Sequence, residues 1–165
     1  MGKIDKAKEI AVQSKDNLLK NFGPDHVFVA EALTRLGEIS VEQGDLDGAA
    51  GFFGKAENIA KKSADTNKLL LARIARGRGT VEDNGGHAEA ARILFEGAMT
   101  SQQGILGEFH PELAKTYFAY ANFLMHTGNV AVARELLNKA SAIALTAFLP
   151  GNPIFVALAD KRKAL

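Results

Sequence analysis

The sequence predicts an all-α protein, a right-handed helical-repeat solenoid of about seven antiparallel helices. Three observations carry that expectation. Composition favours helix over strand: 27 of the 165 residues are Ala, only four are Pro, and β-branched runs are few. Small and bulky apolar residues recur in phase at an interval of 42 residues. Each interval holds two stretches of helical apolar spacing, parted by a glycine-centred break.

The interval shows at several positions. Gly44, Gly86 and Gly128 mark one phase, and Ala30, Ala72 and Ala114 another. Ala49, Ala91 and Ala133 keep the step, as do Ala56, Ala98 and Ala140. Phe53, Phe95 and Leu137 form a bulky series, and Pro111 and Pro153 stand one interval apart. A period of this size is the signature of stacked helix pairs. Neither helix of a pair can bury its apolar stripe alone, so the next pair supplies the cover.

Residues 1–165 are read as a single domain. Residues 3–20 carry Ile4, Ala7, Ile10 and Ala11 in phase with Leu46, Ala49, Phe52 and Phe53, and so form the second helix of a preceding unit. That open first end implies either a chain cut short or a surface covered by another chain. Unit one spans 28–63: Ala30, Leu33, Leu36 and Ile39, a stop at Gln43–Gly44–Asp45, then Leu46, Ala49, Phe53 and Ala56. Unit two, 67–104, turns at Asn84–Gly85–Gly86, and unit three, 111–148, at Thr127–Gly128–Asn129. A C-terminal capping helix is expected over 153–164, opened by Pro153 at a favoured first-turn position. Its charged run, Asp160 to Lys163, supplies the polar outer face that the end of an array needs.

Packing roles follow from size. Ala49, Ala91 and Ala133 let the paired helix approach, and Phe53, Phe95 and Leu137 fill the space beside them. Tyr117, Tyr120 and Phe123 share one helical stripe and are assigned to the core. Phe118 falls one residue out of that phase, as an exposed ring beside Met125. Unit two departs from the pattern: Gly77, Arg78 and Gly79 stand where unit one has Arg35, Leu36 and Gly37. Two mid-helix glycines cost roughly 1 kcal/mol each against Ala. The first helix of unit two is therefore expected to be the weakest element, its glycines the drift of a degenerate repeat.

The Ala30, Leu33, Leu36, Gly37 run, the Gly44–Asp45 turn, and Ala49, Phe53 and Ala56 together resemble the tetratricopeptide repeat (TPR). The longer interval, with extra residues in the junctions, is similar to the kinesin light chain type of TPR. The junctions concerned are Phe22–Gly23–Pro24–Asp25–His26 and Leu106–Gly107–Glu108–Phe109–His110–Pro111. HEAT and armadillo repeats run about 40–47 residues but fit the glycine turn and the alanine phases less well.

Catalytic and cofactor motifs are not found. Gly51–Phe52–Phe53–Gly54–Lys55 echoes a phosphate-binding loop, but Ala56 replaces Ser or Thr and the segment lies within a predicted helix. No G-x-S-x-G occurs. The four His, at 26, 87, 110 and 126, include no H-x-x-x-H pair, and there is no Cys, so no metal site is expected. His26 and His110 are assigned to turn or capping roles, His87 to a helix start, and Glu82–Asp83 to a solvated pair. Catalytic residues, cofactors and metals are all expected to be none. Net charge is +1, from 20 basic and 19 acidic residues, which argues against nucleic acid and against anionic membrane as partners. The Arg76–Gly77–Arg78–Gly79 run lacks interleaved aromatics and is read as structural or solvated. With no signal peptide and no apolar span, the default expectation is a cytoplasmic protein.

The resemblance implies a fold whose first helices line a concave groove for ligands. By phase, Glu31, Thr34, Glu38, Val41 and Glu42 come from unit one. Arg73, Arg76, Thr80 and Asp83 come from unit two, and Lys115, Phe118, Asn122, Met125 and His126 from unit three. The partner-binding set is Glu38, Arg73, Arg76, Lys115, Phe118, Asn122 and Met125. Some TPR proteins hold a peptide's terminal carboxylate with Lys and Asn at two of these positions. Unit one has Thr34 and Glu38 there, and only Asn122 and Arg76 echo the pair. The expected function is a non-enzymatic interaction or scaffold module that takes a peptide or partner helix in the groove. The alternative is a structural subunit of a larger assembly. An RNA-binding helical repeat ranks below both.

Overall fold

The computed structural model describes residues 2–62, 66–147 and 156. Among them stand seven α-helices and no strand. They are α1 (Lys3–Phe22), α2 (Val27–Glu42), α3 (Leu46–Lys61), α4 (Lys68–Asn84), α5 (Ala88–Leu106), α6 (Pro111–His126) and α7 (Val130–Ala147). The expected capping helix at 153–164 lies outside the described residues, apart from Val156.

Chain direction reverses at local signals. Gly44, Gly86 and Gly128 take φ of 76°, 79° and 84°, a left-handed turn that ends the first helix of each pair. The Asp45 amide closes the first of these turns by donating to Ser40 O at 2.9 Å, and the Asn129 amide repeats the bond to Leu124 O at 2.8 Å. Asp45 then caps α3 by accepting from the Gly48 amide. His26 and His110 cap α2 and α6, each Nδ1 accepting the amide two residues on at 3.2 Å. His87 occupies the cap position of α5 without a side-chain cap bond.

Helices that follow one another in sequence pack against one another all along the stack. Beyond that, α2 touches α4 and α4 touches α6, whereas the second helices α3, α5 and α7 hardly meet. The first helices therefore lie on the inner, tighter side of the stack. Alanines at the pair seams (Ala49, Ala56, Ala91, Ala133 and Ala140) are buried, as their phase predicts. Tyr117, Tyr120 and Phe123 are also core, and Tyr120, Phe95 and Phe123 form a mutual ring cluster with centroids 5.5 to 5.9 Å apart.

The glycines of α4 have a purpose that drift does not describe. A Cβ on Gly77 would lie 2.2 Å from Phe53 Cζ, and one on Gly37 would lie 2.7 Å from Phe53 Cε1. The Phe53 ring is thus held between Gly37 of α2 and Gly77 of α4. Gly79 faces Phe95 in the same way, its absent Cβ 3.1 Å from the ring. In the third unit Leu137 replaces the ring and Ala121 replaces the glycine. Ring and glycine vary together, so the propensity cost of Gly77 and Gly79 is set against close packing of a whole phenyl ring.

Candidate functional site

By repeat phase, four rows of positions, one residue from each first helix, run across the inner side of the stack. In chain order they are Glu31, Arg73 and Lys115; Thr34, Arg76 and Phe118; Glu38, Thr80 and Asn122; and Val41, Asp83 and Met125. Helical spacing of three and four residues puts each helix's members on one stripe.

The middle of this face is a charge ladder that ties three helices together. Glu38 on α2 accepts from Arg73 Nε at 2.8 Å, pairs again through Arg73 Nη2, and accepts from Arg76 Nη2 at 2.9 Å. Arg76 also reaches forward, its Nη1 donating to Glu112 Oε2 on α6 at 3.1 Å. Lys115 completes the run by donating to Glu112 Oε1. The Arg76 side chain is only 9% exposed, while Glu38, Arg73, Glu112 and Lys115 are half-buried. Arg76 is the hub, satisfied on both sides by carboxylates.

Electrostatics follow the geometry. Burial alone would raise the Glu38 carboxyl, but Arg73 and Arg76 outweigh it and hold it below its ordinary range. Burial opposes ionisation of Glu112 too, yet Lys115 and Arg76 bring its pKa down to about 2. The hydrogen bonds to Glu38 in turn raise the Arg73 pKa. Glu38, Glu112 and Arg73 are thus held in their charged forms at neutral pH.

Several expectations change on this face. Thr34 does not line a groove: it is fully buried, and its hydroxyl donates back to Ala30 O at 2.8 Å. Phe118 is not an exposed ring but half-buried, packed with Met125 and Ala119 against the core cluster of α5, α6 and α7. Glu82 and Asp83 are not simply solvated. Glu82 pairs with His87 Nδ1 at 2.8 Å, and Asp83, whose side chain is 13% exposed, pairs with His126 Nδ1 at 3.1 Å. Arg78 leaves the ladder for the other side of α4 and pairs with Glu57 of α3. Asn122 is half-buried, with its Oδ1 enclosed and without a hydrogen-bond partner.

The ladder as a whole was missed by sequence reasoning, although Glu38, Arg73, Arg76 and Lys115 were each picked out. Its one signal is the spacing of opposite charges at 35, 36 and 38 residues, one repeat less one to two helical turns. Among the described residues, no group of three or more His, Cys, Asp or Glu is placed to hold a metal ion. No helix among them is long and apolar enough to cross a membrane.

This architecture of staggered helix pairs, first helices inward, defines a TPR-like helical-repeat solenoid, and solved structures agree. The chain is similar to the crystal structure of BtubC (BKLC) from P. vanneervenii, with a TM-score of 0.65 and 18% identity over 92% of this chain. It spans 61% of that protein's length. Two crystal structures of a kinesin-light-chain-like protein from Podosopora anserina, with nearly identical TPR-like repeats, match at TM-score 0.61 and 20% identity. Those matches cover 95% of this chain and 74% of the other. No family model and no curated protein matches the sequence. The likenesses establish a TPR-like helical-repeat fold.

Proposed function

We propose that the protein is a non-enzymatic interaction module that takes an extended peptide or a partner helix along the inner face. The observation that carries this reading is the division of that face. At its centre, Arg73 and Arg76 are neutralised by Glu38 and Glu112, so the face is no basic trough for a polyanion. Toward α6 it becomes apolar, with half-buried Phe118 and Met125 beside Lys115 and the unfulfilled Asn122 acceptor. A ring and a thioether of partial exposure, next to polar groups, form an anchor site of the sort that dominates interface energetics.

Recognition is therefore assigned chiefly to Lys115, Phe118, Asn122 and Met125. Glu38 and Arg73 form the polar flank, and Arg76 holds the helices in place. Peptides selected from a random library against the immobilised chain should lose binding at least tenfold to the Phe118→Ala, Lys115→Glu double variant. Helical circular dichroism should be unchanged. Selected peptides that bind the double variant as well as the parent would refute the groove.

A further inference from the structure

The charge ladder leaves the inner face with one kind of free charge. Glu31, Glu38 and Glu42 share a stripe of α2, at helical spacings of seven and four residues. Only Glu38 is engaged by arginines of the ladder. Glu31 and Glu42 are exposed and stand in no hydrogen bond or ion pair. Glu31 acts on the ladder through space alone, adding to the field that raises the Arg73 pKa.

The cations of the ladder are all committed. Arg73 pairs with Glu38, Arg76 bridges Glu38 and Glu112, and Lys115 pairs with Glu112. Arg78 is turned to Glu57 on the other side of α4. Arg35 stands beside Glu31 and Glu42 in the hollows shared with α1, and offsets one of the two. The uncompensated charge of the inner face is therefore acidic and sits on α2. At the far side, α6 offers the half-buried Phe118 and Met125. Lys115 keeps ammonium donors beyond its bond to Glu112, which suit a ligand's backbone carbonyls.

These two ends set a spacing. α2 touches α4 and α4 touches α6. Packed helix axes lie about 8–10 Å apart, so α2 and α6 are separated by roughly 16–20 Å. An extended chain covers that span in about five or six residues. We infer that the inner face selects a peptide with a Lys or Arg set about five or six residues from an apolar side chain. The cation stands over Glu31 and Glu42 on α2, and the apolar side chain meets Phe118 and Met125 on α6. The assignment rests on the inner-face reading above and adds to it the class of ligand. An acidic peptide is disfavoured on two counts. It meets free carboxylates on α2, and it reaches Arg73 or Arg76 only by displacing Glu38 or Glu112 from half-buried pairs.

Fluorescence anisotropy at low ionic strength with two synthetic probes tests it. Both are extended peptides with one Phe. Five residues from it, one probe carries Lys–Lys and the other Glu–Glu, each made in both sequence directions. The Lys probe should bind more tightly than the Glu probe and weaken as salt rises. It should lose about fivefold to Glu31→Gln/Glu42→Gln, the effect of two exposed ion pairs. Both substitutions fall on exposed side chains without partners, so helical circular dichroism should not change. Equal or tighter binding of the Glu probe would overturn the inference, as would Lys-probe binding indifferent to Glu31→Gln/Glu42→Gln. Phe118→Ala separates this failure from that of the inner-face reading. A Glu probe that binds more tightly and still depends on Phe118 defeats the cationic ligand and leaves the groove. Binding by neither probe, or binding indifferent to Phe118→Ala, defeats both.

Discussion

Two seams of this molecule carry the same repeat phase and meet different fates. At the α3 seam, Ala49, Phe53, Ala56 and Ala60 have no exposed surface. At the α1 seam the corresponding Ala7, Ala11, Ser14 and Leu18 run from exposed to buried, with only Ala11 below the surface. Both helices present an apolar stripe. What differs is the number of neighbours, since α3 packs on both α2 and α4, whereas among the described helices α1 packs chiefly on α2. In a solenoid, burial belongs to the junction more than to the helix, because each unit contacts only the units beside it.

Truncation should expose this contrast most strongly. Phe53→Ala removes a ring held between two glycines and should destabilise the fold by about 3–5 kcal/mol. Ile10→Ala, on the open seam, should stay within about 0.5 kcal/mol. Urea unfolding of dilute samples reads both, and equal losses would erase the distinction between the seams. Gly77→Ala comes next. Alanine contributes roughly 1 kcal/mol in helix propensity. Its Cβ, however, would meet a phenyl ring that Gly37 prevents from retreating. A net loss of about 1–3 kcal/mol is expected, and a net gain would mean that the ring is less confined than it stands here.

The charge ladder is tested by Arg76→Met. Breaking a buried ion pair costs about 3–5 kcal/mol when a charge is left alone. Here Glu38 keeps Arg73 and Glu112 keeps Lys115, so about 1–2 kcal/mol is expected. Acid gives a second reading of the same contacts. The Glu38 and Glu112 carboxyls are depressed in the folded state, so their contribution is fully present above the ordinary carboxyl value of 4.5. It is lost as pH falls toward the Glu112 value of about 2. The parent should lose more stability across that window than Arg76→Met does. Parallel curves in denaturant titrations at descending pH would place the acid sensitivity elsewhere.

Much of the fold was legible because its signals are local or strictly periodic. The turns at Gly44, Gly86 and Gly128, the His26 and His110 caps, and the alanine seams all follow from residue type and phase. The site was less legible. Arg76 and Glu112 stand on different helices, and their pairing depends on how α4 and α6 are staggered, which no single helix encodes. Gly77 misled for a related reason. It is out of phase with Gly37, and the ring that requires it belongs to the previous unit. Thr34 shares a row with Arg76 and Phe118, but a short side chain there is closed over by its neighbours and bonds to its own helix.

The smallest effect sharpens the meaning of glycine in the two settings. Gly51 of α3 and Gly97 of α5 lie on helix surfaces where an added Cβ would meet nothing within 4 Å. Both have ordinary helical backbone, with no positive φ to preserve. Alanine there removes freedom from the unfolded chain and costs no contact in the folded one. Gly51→Ala and Gly97→Ala should each stabilise by about 0.4–1 kcal/mol. Equilibrium unfolding of the two variants beside Gly77→Ala gives opposite signs for one chemical change, set only by what faces the hydrogen that the methyl replaces. Were all three to stabilise, glycine in α4 would be drift after all, and the packing of Phe53 would need another explanation.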